Sequence, residues 1–141
     1  MTSTASSLLL ALDESVPASV RESYAVASSL GPDSPEEYAV AIRAALDALC
    51  EDRDTPECAV RMKLTFLVSR GEIPAALVGM PDIIELFANA ARSGGQESIT
   101  ADEAWGMGAF FCMVVNCVYV TPRKVQMLKD EVARRAALVS A

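Results

Sequence analysis

The chain has 141 residues, is 52% hydrophobic and 22% charged, and carries a net charge of −7 with no histidine. That length supports a single domain able to bury roughly two-thirds of its unfolded surface, and the apolar fraction is too high for disorder. The acidic balance argues against phosphate neutralisation on nucleic acid, which needs clustered Lys and Arg. The missing histidine excludes a Ser–His or Cys–His nucleophile pair and any His-containing zinc site. Composition therefore points away from hydrolases and metalloenzymes and towards a binding protein, with no cofactor and no small-molecule substrate expected.

The elements follow in chain order. Met1 to Ser7 holds no basic residue ahead of the short apolar run Leu8 to Leu12, unlike a secretory signal. The first thirty residues read as helices over Thr4 to Leu12 and Pro17 to Leu30, separated by Pro17. Gly31-Pro32 is a stop, and Ser34-Pro35-Glu36-Glu37 is a start: an N-cap, a proline in the first turn and acid behind it. Pro35 to Cys50 then carries an apolar face of Tyr38, Ile42, Ala45, Leu46 and Leu49. The charged stretch Glu51 to Asp54 ends that helix. Its carboxylates, with Glu57, read as a solvated loop and helix-start charges rather than an acid/base pair or cation site.

Thr55-Pro56-Glu57 repeats the start signal for a helix over Pro56 to Arg70, which Gly71 ends. A further start at Met80-Pro81-Asp82 opens a helix over Pro81 to Arg92, stopped by Gly94-Gly95. Thr100-Ala101-Asp102-Glu103 is a capping box. Ala104 to Val120 contains no charge and is apolar on every side, which fits the buried centre of a bundle better than a membrane span. Thr121-Pro122 opens a last helix to Ser140 with Val125, Leu128, Val132, Ala136 and Val139 on its apolar face. Cys50, Cys58, Cys112 and Cys117 form no CxxC pair and read as four buried, reduced thiols of an intracellular protein. No period-two run is long enough for a strand. The fold class is all-α: a single domain over 1–141, with N-terminal helices over 1–33 and six to seven helices in all around one central hydrophobic helix.

With catalytic constellations lacking, the remaining chemistry is an apolar groove between helices, of the kind that captures an amphipathic helix. Trp105, Met107, Phe110, Phe111 and Met113 collect large side chains in one helix. Met62, Phe66, Ile84 and Phe87 are placed to surround it.

The order of these segments resembles the Bcl family of apoptosis regulators, particularly its short viral members. Trp105-Gly106 opens the apolar helix and Ala109-Phe110-Phe111 follows, similar to the family's first homology region. Ile84-Glu85-Leu86-Phe87 lies in the preceding amphipathic helix. Ile42, Leu46, Leu49, Cys50 and Glu51 follow the anchor, small residue and acid pattern of the third homology region, and the helix from Pro122 follows directly. The likeness covers Ser34 to Ala141. Met107 stands where the family has the arginine that pairs with the bound helix, and Arg92 is the nearest substitute.

The resemblance implies a cytoplasmic anti-apoptotic protein without a membrane anchor, acting in a host cell if it is viral. It would sequester death-motif helices of pro-apoptotic partners in a groove made by Met62, Phe66, Ile84, Phe87, Ala91, Arg92, Trp105, Gly106, Met107 and Phe110. An empty groove of that kind exposes apolar surface, so a homodimer covering it is an expectation too. The alternative is an acidic helical adaptor or antitoxin-like protein that neutralises a basic partner, steered by the net charge.

Overall fold

The computed structural model describes residues 13–30, 33–90 and 98–140, and within these the chain is helical with no strand. The expected helix from Thr4 to Leu12 lies outside the described residues, as do Ala91 and Arg92. The helices are α1 (Ala18–Ser29), α2 (Pro35–Asp52), α3 (Val60–Ser69), the short α4 (Ala75–Val78), α5 (Pro81–Ala90), α6 (Ala101–Val115) and α7 (Thr121–Ser140). A π-helical segment, Asn116–Val120, joins α6 to α7, so the two run on as one helix of 40 residues.

The core is built around α2. Its buried residues Ala39, Ile42, Ala45, Leu46, Leu49 and Cys50 recur at spacings of three and four, apart from one adjacent step at each of two turns. This wide apolar face lets α2 pack against α1, α5 and α6 at once. On α1, Val20, Tyr24 and Ala27 face inwards, and the Tyr24 ring stacks on Phe111 at 5.5 Å. On α5, Ile84, Phe87 and Ala90 face inwards, and Phe87 meets Phe110 with ring centroids 5.6 Å apart. These offset and tilted ring pairs are favoured geometries beyond simple burial. Helix α3 packs on α4 and α5 through Leu64 and Leu67.

Two boundaries differ from the sequence expectation. Thr55 ends α2 instead of starting α3: its backbone N–H and its Oγ1 both donate to the Cys50 carbonyl, each at 3.1 Å. Asp54 beside it turns the chain with φ of 59°, and α3 begins only at Val60. Gly71 does stop α3, at φ of 76°, where glycine carries no steric penalty. Helix α6 begins at Ala101, where the capping box places its start. The capping box is formed in full, with Glu103 N–H to Thr100 Oγ1 at 3.1 Å and Thr100 N–H to Glu103 Oε1 at 3.0 Å.

The second difference is the larger. Thr121-Pro122 does not restart the chain. A proline inside a helix donates no bond and crowds the carbonyl four residues back. Here the wider π turn of Asn116–Val120 stands immediately before it and accommodates that defect without ending the helix.

Two expectations about the core need correction. The uncharged helix is not enclosed on all sides: Met107, Gly108, Phe110, Phe111, Val114 and Val115 are buried, but Trp105 is 74% exposed and Met113 is exposed as well. Of the four cysteines only Cys50 is buried; Cys58, Cys112 and Cys117 are partly exposed. Burial pushes the Cys50 thiol up to about 11.

Candidate interaction surface

Helix α7 has twenty residues, none of them buried. Its apolar face is nevertheless the one the spacing predicts. Val125, Leu128 and Val132 are exposed, Leu128 to 64%, and Val139 reaches 87%. An amphipathic helix whose apolar stripe faces water is a surface waiting for a counterpart, because burying such a stripe is what normally stabilises the helix.

The π segment decides where that stripe points. In an unbroken α-helix Met113 and Val125 would stand about 120° apart; five residues at the wider π pitch reduce this to about 30°. Met113, Cys117, Thr121, Val125, Leu128 and Val132 therefore share one side of the 40-residue helix. That side of α6 is also left partly uncovered by the fold, at the half-buried Ala109 and the exposed Met113.

The polar surface of α7 is basic. It carries five Lys and Arg against two Asp and Glu, a net charge of +3, so the remainder of this −7 chain carries −10. Arg134 and Arg135 both contact Glu131, which holds that carboxyl below its usual range. Arg123 reaches back to Asp13 at 2.8 Å, fixing the base of α7 to the chain ahead of α1.

Of the residues expected to wall a groove, Ile84, Phe87, Met107 and Phe110 lie in the closed core, filling one another's space. All four are buried among the described residues. Gly106 is half-buried, and a Cβ there would meet Ile83 Cδ1 at 3.2 Å, so it serves the close approach of α5 to α6. Met62, Phe66 and Trp105 do reach water. Near Phe66, Thr65 and Val68 of α3 face Ala75, Val78 and Gly79 across a shallow recess of about 290 Å³.

Two polar clusters escaped the sequence reading because their members lie far apart in the chain. In the first, Tyr119 of the π segment donates its hydroxyl to Asp52 Oδ2 at 2.6 Å. The Arg53 guanidinium lies 5.9 Å from the Tyr119 ring centre and bonds Glu72 at 2.8 Å. Burial, and then the bond to Asp52, holds the Tyr119 phenol well above its usual range. Asp52 is exposed, as the acidic run predicts, but it closes α2 rather than lying in a loop, and it ties the π segment to the end of that helix. In the second, Asp47 receives Arg43 at 2.9 Å and the buried Lys63 at 3.4 Å, and Arg43 also donates to the Phe87 carbonyl at 2.7 Å. This cluster holds α3 and α5 against α2. Among the described residues no group of three or more His, Cys, Asp or Glu is placed to hold a metal ion.

The fold and this surface define a class: an all-helical domain whose last helix continues out of the core with an apolar side uncovered. The chain belongs to the family described as a domain of unknown function, DUF4145, whose model matches residues 25–131. The match runs from α1 into the first half of α7 and so includes the π segment. No curated protein and no solved structure matches the chain.

Proposed function

We propose that the chain is a helical protein-interaction module that docks an amphipathic helix along the exposed side of its 40-residue helix. The observation that carries this reading is the apolar stripe of α7, which contains no buried residue. A partner helix laid beside it would bury Val125, Leu128, Val132 and Val139 in the manner of a two-helix coil. The packed cluster around Phe87 and Phe110 holds α6 in place, and α7 continues from α6.

The resemblance to Bcl regulators makes death-motif helices of pro-apoptotic proteins the first partners to test, and an anti-apoptotic role the most specific form of the proposal. Such a helix could use Met62, Phe66 and Trp105, the expected groove residues that reach water. Calorimetric titration of synthetic amphipathic and death-motif peptides into the full chain separates the two surfaces. Docking on α7 predicts saturable binding that is lost with Leu128→Asp and kept with Met62→Asp. The groove reading predicts the reverse, and no heat with any peptide of the panel overturns both.

A second reading, an acidic adaptor that neutralises a basic partner, is favoured by the −10 carried outside α7. It predicts an association rate that falls steeply with added salt. A salt-independent rate would count against it.

A further inference from the structure

The unassigned feature with the most definite chemistry is the union of a basic apolar helix with an acidic apolar strip on one continuous rod. We infer that the partner helix is supplied by a second copy of this chain, with α7 of each copy packed antiparallel on the exposed side of α6 of the other. This deepens the proposed function and rests on it.

Charge fixes the direction. The first turn of α6 carries Asp102 and Glu103, both exposed. The second half of α7 carries Arg134 and Arg135 against the single Glu131. An antiparallel pairing sets these acids beside those bases, whereas a parallel pairing stacks like on like.

Length agrees with charge. At 1.5 Å per residue, Glu103 lies about 15 Å from Met113, and Arg135 lies about 15 Å from Val125. A register with Val125 over the partner's Met113 therefore brings Arg135 level with the partner's Glu103. The same register brings Val132 level with the partner's half-buried Gly106. Leu128 falls beside the partner's Ala109. Every exposed apolar residue of the α7 stripe up to Val132 then has an uncovered, small or apolar counterpart on α6. The pairing is isologous, so the same contacts form twice about a two-fold axis near the π segment.

Sedimentation velocity on the full 141-residue chain at micromolar concentration tests this. A species of twice the chain mass is expected. Val132→Asp combined with Leu128→Asp should return the monomer mass with unchanged helical circular dichroism, because neither residue is part of the core. Asp102→Arg alone and Arg135→Glu alone should each weaken association about tenfold, and the two together should restore it. A monomer at every concentration overturns the inference. So does a dimer indifferent to the α7 substitutions, or chain that binds anionic vesicles through α7 without self-associating. If the chain is monomeric but still binds peptides in a Leu128-dependent way, the pairing fails and the proposed function stands. If neither association nor peptide binding depends on α7, both fail.

Discussion

Lys63 keeps its ammonium group inside the fold, 7% exposed, because Asp47 meets it and is shared with Arg43. Removing one partner of such a pair leaves a charge without compensation, which costs more than never having had the pair. Asp47→Ala should lower unfolding stability by about 1–3 kcal/mol in urea, and adding Lys63→Met should recover most of the loss. A second prediction concerns the chain's three tyrosines. Tyr24, Tyr38 and Tyr119 are all held above the ordinary phenol range, in each case chiefly by burial. In the unfolded chain a phenol ionises near pH ~10. A raised folded value means this contribution to stability is complete below that pH and is lost as pH rises past it. Ultraviolet titration should therefore detect almost no tyrosinate until the protein unfolds in alkali. An ordinary phenol curve with intact helical dichroism would contradict the burial. None of this was legible in the sequence: Asp47 and Lys63 are ordinary helix-surface residues by pattern, and Asp52 sits in an acidic run that looks solvated.

At the scale of elements, the periodicity of α2 and the capping box of α6 were legible because both are local. The Thr55-Pro56-Glu57 signal was misleading for an equally local reason: threonine caps either end of a helix, and here its bonds go back to Cys50. The continuity of α6 and α7 was hidden because Pro122 is a strong stop in an α-helix but is tolerated behind a π turn. Helix packing itself gives a test. A Cβ at Gly108 would press on the Tyr38 hydroxyl and lie 3.2 Å from its Cζ. Gly108→Ala should therefore destabilise, by about 1–3 kcal/mol, although alanine alone favours a helix. Tyr38→Phe in the same chain should recover part of the loss. If Gly108→Ala instead raises the melting temperature, α2 and α6 are less closely packed than described. Truncating Phe87 to Ala should cost about 3–5 kcal/mol, as befits a core ring and not a groove wall.

For the whole molecule, helix punctuation and periodicity indicate an all-α domain, and the structure is all-helical among its described residues. Four of the expected groove residues are buried for a reason that patterns do not record. Spacing identifies which residues share a face, but not whether two apolar faces close on each other or stay apart. Ile84, Phe87, Met107 and Phe110 close on each other; the apolar face of α7 stays apart. The sequence marked that face correctly and assigned it to the interior. An 18-residue window of the long helix is apolar enough to cross a bilayer by length and composition, but 56% of it is buried against the other helices.

The central claim is that α7 is completed by a second copy of this chain. Hydrogen exchange of the α7 amides, followed across a wide dilution series of the full chain, tests it most directly. The account predicts protection over residues 121–140 that rises with chain concentration while the protection of α2 stays constant. Exchange in α7 that is the same at every concentration, whether fast or slow, would contradict it.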